Sequence, residues 1–175
     1  ERLNGLQRSQ EALRLIEEAI AANPDNNLAH LIRGNVLQQL RRFSEAITAY
    51  SQAIALKPDE AAAYYNRGNA YRTTQKITEA LADYTAAYRI SPNLPLLLSV
   101  LVALRKEVCN WDGIDVLIDQ LRARLTEQEA KGIIPFTLQT LPFSNAELRK
   151  ATEAFTRDFV TAAPVSSPKF NVASH

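Results

Sequence analysis

A single cysteine, Cys109, occurs in the 175 residues, so no internal disulfide can form. Methionine is absent and glycine is scarce, at five. Ala, Leu, Glu, Gln and Arg are plentiful instead. These residues lose little freedom in a helix, so an all-α protein is expected. An excess of one charge is also missing, because 20 Lys+Arg meet 19 Asp+Glu. No strong field is available to draw in nucleic acid or anionic lipid, and a nucleic-acid partner is not expected. No apolar run approaches the roughly 20 residues that span a bilayer, and no signal peptide is visible. The expectation is a soluble, cytoplasmic protein without a membrane partner. What is present is 46% hydrophobic content, enough to bury the core of one domain or of a short repeat array.

Repetition organises the chain. A shift of 34 places superposes Ala29, Arg33, Gly34, Asn35, Glu45, Ala46, Tyr50, Ala53 and Pro58 on Ala63, Arg67, Gly68, Asn69, Glu79, Ala80, Tyr84, Ala87 and Pro92. The same shift backwards reaches Glu11, Ala12, Ala19 and Pro24, with Leu13 and Ile16 at apolar places. Two full units, 27–60 and 61–94, thus follow the second helix of a partial one, 1–26. A start part-way through a unit suggests an excised fragment or a processed product.

Each unit carries two amphipathic stripes, as in Leu37 and Leu40, then Ile47, Tyr50, Ala53 and Ile54. The break falls near Arg41-Arg42-Phe43 and Gln75-Lys76-Ile77, and Pro24, Pro58 and Pro92 close each second helix. Gly34 and Gly68 lie inside the first helices, where glycine costs about 1 kcal/mol relative to alanine. The expected compensation is a close helix crossing, with each glycine opposite Ala46 or Ala80.

Gly at the eighth place, Ala at the twentieth and twenty-seventh, an aromatic at the twenty-fourth and Pro at the thirty-second resemble the tetratricopeptide repeat. The resemblance covers about residues 9–94 and implies a right-handed superhelix of helix pairs. Pentatricopeptide repeats differ, being longer by one residue and usually basic RNA binders.

Residues 95–127 read as a degenerate repeat. Trp111-Asp112 stands where Phe43-Ser44 and Ile77-Thr78 stand, and Asp112 is placed to cap a helix through Ile114, Leu117, Ile118, Leu121 and Leu125. Val102 replaces the glycine, Ile114 the small alanine, and no proline closes the unit. In residues 128–163 an irregular apolar segment leads to a helix opened by the capping box Ser144-Asn145-Ala146-Glu147. Ile133, Ile134, Phe136, Leu138, Leu141 and Phe143, with Phe155 and Phe159, should pack back onto the last repeat or make a homo-oligomer contact. The tail, 164–175, is expected to fray.

Cys-Asn-Trp-Asp at 109–112, Pro135-Phe136, Leu141-Pro142 and Ser144 before an Ala-rich helix form a second signature. It resembles the segment joining repeats to catalytic domain in bacterial O-linked N-acetylglucosamine transferase and SPINDLY-family proteins. In that family the chemistry lies in Rossmann-like lobes further along. This chain shows no Gly-rich turn after a strand, so the resemblance transfers no catalytic residue.

Candidate function therefore rests on surfaces. The tetratricopeptide resemblance implies that first helices line a concave groove for protein or extended peptide. It places Leu28, Leu31, Ile32, Asn35, Gln38 and Gln39 there in one unit, and Ala62, Tyr65, Asn66, Asn69, Arg72 and Thr73 in the next. An amide offers donor and acceptor alike, so Asn35, Asn66 and Asn69 suit a peptide backbone of any sequence. The alternative is that they only stabilise a solvated helix face. Chaperone-tail repeats carry lysine at the fifth place, where Leu31 and Tyr65 stand here, so a carboxylate clamp is not expected. His30 reads as a packing residue, and Cys109 as a buried small apolar group. Asp112, Asp115 and Asp119 read as solvated acids, since no loop of oxygen ligands accompanies them. No nucleophile, base and orienting group assemble, so neither catalysis nor a cofactor is expected in this chain. Three readings remain: a peptide-binding scaffold, the recruiting arm of a glycosyltransferase, and an oligomerisation module.

Overall fold

A computed structural model describes residues 2–94, 96–126 and 141–162. Ile133, Ile134, Phe136 and Leu138, the side chains of Phe155 and Phe159, and the tail lie outside the described residues.

The described residues form helices and no strand. Helix α1 (Arg2–Ala22) precedes three helix pairs: α2 (Asn27–Gln39) with α3 (Phe43–Leu56), α4 (Ala61–Thr73) with α5 (Ile77–Ile90), and α6 (Leu97–Glu107) with α7 (Ile114–Thr126). Helix α8 (Asn145–Ala162) follows. Each helix packs on its sequence neighbours, from α1 on α2 through to α7 on α8. Helices α1, α3 and α5 stop two residues before Pro24, Pro58 and Pro92, where the residue preceding proline leaves the α region.

The turns inside the three pairs share one geometry. Arg41, Gln75 and Cys109 adopt left-handed backbone, with φ of 62°, 61° and 53°. At each, the next amide reaches back five residues: Arg42 to the Leu37 carbonyl at 2.9 Å, Lys76 to Tyr71 at 2.9 Å, and Asn110 to Arg105 at 2.8 Å. The left-handed residues' own amides bond to Gln38, Arg72 and Lys106. These paired bonds satisfy terminal carbonyls that would otherwise be orphaned, and each turn achieves them without the usual glycine.

Several expectations need correction. The nearest atoms to Gly34 and Gly68 belong to tyrosine rings, not to Ala46 or Ala80. A Cβ on Gly34 would lie 2.4 Å from Cε1 of Tyr50, and one on Gly68 2.9 Å from Cε1 of Tyr84. Cys109 is exposed, because its left-handed backbone holds it at the corner of a turn. Helix α7 starts three residues later than the repeat would place it, with Trp111 58% exposed in the turn. Gly113, not Asp112, takes the cap position, since its carbonyl accepts the Leu117 amide. The carbonyl of Asp112 instead receives Arg105, and its amide donates to Asn110 Oδ1 at 3.2 Å.

The core falls into two clusters that adjoin at α4, one from α1 to α4 and one from α4 to α8. Leu37, Ala46, Ala49, Tyr50 and Ala53 are fully buried in the first pair, as are Ala80, Tyr84 and Ala87 in the second. His30 is buried, with Nε2 at 2.9 Å from the Pro24 carbonyl. Helix α8 turns back onto α7, burying Ala151 and packing Leu141, Phe143 and Leu148 against the core. Its capping box is formed: Ser144 N–H donates to Glu147 Oε2 at 2.7 Å, and Glu147 N–H to Ser144 Oγ at 3.3 Å. Arg122 on α7 ties the arrangement together through Glu147 at 2.9 Å, the Pro142 carbonyl at 2.9 Å and the Phe143 ring at 5.1 Å.

Candidate functional site

The eight residues singled out by position divide into two groups. Asn35, Gln38 and Gln39 from α2 and Asn66 from α4 line one depression of about 440 Å³. Tyr65, Asn69, Arg72 and Thr73 follow on α4 outside it. Of these, Arg72 and Thr73 are exposed, while Tyr65 and Asn69 are half-buried.

Adjacent helices are linked through Asn35. Its Oδ1 accepts from Asn66 Nδ2 at 2.9 Å and from the Tyr50 hydroxyl at 2.9 Å. The same hydroxyl also lies 3.2 Å from Gln38 Oε1. One pair over, the Tyr84 hydroxyl donates to Asn69 Oδ1 at 2.7 Å. The asparagines thus do not offer both halves of their amides, as the sequence suggested. The carbonyl ends of Asn35 and Asn69 are engaged from behind, and their N–H2 ends have no partner among the described residues. Asn66 is the reverse case, with its N–H2 engaged and its carbonyl left over.

Both tyrosines remain donors. Burial pushes the Tyr84 hydroxyl up to about 12 despite the opposing influence of nearby Arg72. Burial raises Tyr50 as well. Neither phenol ionises near neutral pH. Tyr65 packs its ring 5.7 Å from that of Tyr84, tilted by 52°. The Thr73 hydroxyl donates to the Asn69 backbone carbonyl at 2.9 Å, within its own helix.

Position in the repeat does not reveal a polar cluster between the pairs. Arg67 makes a two-pronged bond to Asp83, at 2.8 and 2.7 Å, and donates to Ser51 Oγ at 2.9 Å. Its guanidinium also lies 5.7 Å from the Tyr64 ring and 5.8 Å from that of Tyr71. Asp83 is 5% exposed, so this ion pair fixes the stacking of α3, α4 and α5 rather than serving a ligand. The recurrence of Arg33 and Arg67 was a signal; the carboxylate was not, because Ala49 stands at the matching place one unit earlier.

Among the described residues no cluster of His, Cys, Asp or Glu could hold a metal ion. Asp112, Asp115 and Asp119 are all exposed, and Asp119 pairs with Arg122 at 2.9 Å. No described helix is long and apolar enough to cross a membrane.

Comparison with known proteins points the same way as the geometry. A family model described as tetratricopeptide repeat matches residues 5–39 and 33–95. No curated protein sequence matches. Among solved structures, the fold is similar to MamA, with a TM-score of 0.66 and 15% identity over 92% of this chain and 94% of that one. It is similar to the first such repeat domain of Spaghetti (RPAP3), solved with the HSP90 peptide SRMEEVD, with a TM-score of 0.57 and 24% identity over 62% and 86% of the two chains. An O-GlcNAc transferase from Thermobaculum terrenum matches with a TM-score of 0.51 and 24% identity over 58% of this chain, which spans 20% of that enzyme.

Proposed function

The chain belongs to the tetratricopeptide repeat family, and from that premise we propose that it is a protein-interaction module holding an extended peptide against α2 and α4. The observation that carries this reading is the Asn35–Asn66 pair. Coupled through one hydrogen bond, the two amides leave a donor on Asn35 and an acceptor on Asn66 within the same depression. An extended chain presents the complementary pair at every residue, its C=O and its N–H, so recognition need not depend on sequence. Leu31 and Tyr65 in place of lysine argue against a clamp for a terminal carboxylate.

The test is a peptide-array capture comparing the intact chain with a variant carrying Asn35→Ala, Asn66→Ala and Asn69→Ala. Capture should fall while helicity by circular dichroism is retained. Equal capture by both proteins would remove the groove assignment.

The module further reads as the recruiting arm of a glycosyltransferase-like polypeptide. Its support is the resemblance of residues 105–160 to the repeat-to-catalytic-domain segment of that family; the likeness to the Thermobaculum terrenum enzyme bears on fold alone. Determining the coding sequence beyond position 175 tests it, with α/β lobes expected and a stop codon there as the contrary result. Self-association through the C-terminal segment has less support, because Leu141, Phe143 and Leu148 are already partly buried against their own chain.

A further inference from the structure

We propose that Tyr50 and Tyr84 are positioning residues that set the hydrogen-bond polarity of the groove, turning Asn35 and Asn69 so that N–H2 donors face the ligand and an acceptor-rich, acidic segment is preferred. The inference rests on the peptide-groove reading above and specifies its ligand.

Three observations carry it. First, each tyrosine comes from the helix behind the groove, yet its hydroxyl donates to a groove-side carbonyl oxygen, that of Asn35 for Tyr50 and of Asn69 for Tyr84. Once Oδ1 is held from behind, the amide can only present its nitrogen forward.

Second, the route of the ring depends on a missing side chain. Any Cβ at position 34 or 68 would intrude on the tyrosine ring, at 2.4 and 2.9 Å. The glycines therefore open the passage through which the hydroxyl crosses the first helix.

Third, the three residue types disappear together. In α6 and α7 the same places hold Val102 for glycine, Ala103 for asparagine and Ile118 for tyrosine, although the left-handed corner with its two backbone bonds recurs at Cys109. A packing device alone would not require the asparagine to leave with the tyrosine. The donors are joined on α4 by exposed Arg72, and no acidic side chain stands at any of the assigned groove places of α2 and α4.

The experiment uses the full chain and two probes, acetylated and amidated dodecapeptides of alternating Glu-Gly or Lys-Gly, with binding followed by fluorescence anisotropy. Wild type should favour the acidic peptide by about tenfold or more, the scale of a charge-assisted bond. Asn35→Asp keeps the acceptor for Tyr50 and Asn66 but removes the forward donor. It should leave Tm unchanged while abolishing that preference. Tyr50→Phe and Tyr84→Phe retain the ring that fills the space beside each glycine. In the absence of peptide, they should lower the NMR order parameters of the Asn35 and Asn69 side-chain amides, and they should shrink the acidic preference. Unchanged order parameters and unchanged preference in the Phe variants would overturn the positioning role while leaving the groove intact. A wild type in which neither peptide shifts any α2 or α4 resonance would instead discredit the groove reading, and this inference with it.

Discussion

The two regular pairs, α2–α3 and α4–α5, and the irregular pair α6–α7 differ in chemistry more than in backbone. All three turn through a left-handed residue with the same two backbone bonds, at Arg41, Gln75 and Cys109. The regular pairs couple glycine, asparagine and tyrosine across the crossing, whereas α6–α7 fills the same places with Val102, Ala103 and Ile118. Val102 is fully buried and Ile118 nearly so. The stacking geometry of the repeat is thus separable from its groove chemistry. The irregular pair continues the stack and offers its far side to α8, through Arg122, Leu141, Phe143 and Leu148.

The sharpest way to break the comparison is to write the regular pattern into the irregular pair. Val102→Gly removes a fully buried side chain where no tyrosine ring stands to fill the space, and adds the helix penalty of glycine. It should destabilise by about 3 kcal/mol in urea unfolding. The converse change is Gly34→Ala, which gains helix propensity but drives a methyl group into the buried Tyr50 ring. The clash should win, with a loss of about 2 kcal/mol, and Gly68→Ala should cost less because its contact is longer, 2.9 against 2.4 Å. A stabilised Gly34→Ala protein would show that the ring yields freely and that the glycine is not needed for its passage.

The smallest effect concerns the docking of α8. Bonds from the Ser144 backbone and hydroxyl, and then from Arg122, hold the Glu147 carboxyl below the usual carboxylate range. A lowered folded value means the contribution is complete above the unfolded value, about 4.3, and is lost as pH falls through the lower folded one. Protection factors of the amides in the first turn of α8, corrected for the intrinsic pH dependence of exchange, should therefore fall below about pH 4 in wild type. Glu147→Gln should show the lower protection factors already at neutral pH and little further change in them on acidification.

Much of the fold was legible because it is periodic. The recurrence at 34 places fixed the helix pairs, the prolines marked the ends of α1, α3 and α5, and the Ser144–Glu147 spacing marked the start of α8. Long-range contacts were less readable. The close approach at Gly34 was expected against Ala46, but a ring from one helix turn further along occupies that space. Cys109 looked like a small core residue, yet a left-handed turn without glycine places it at the surface. Arg67 and Asp83 form their pair only once, so no repetition announced it. At the groove, spacing could place Asn35, Asn66 and Asn69 on first helices, but it could not say which end of each amide is engaged. That depends on hydroxyls reaching across from Tyr50 and Tyr84.

The central claim is that ligand chemistry resides on α2 and α4 and stops before α6. Amide chemical-shift mapping of the full chain, titrated with the capped Glu-Gly dodecapeptide, tests it directly. The account predicts shifts concentrated at Asn35, Gln38, Asn66, Asn69 and Arg72, with α6 and α7 silent. Shifts centred instead on the exposed Trp111 and Val116, with α2 and α4 unmoved, would contradict it.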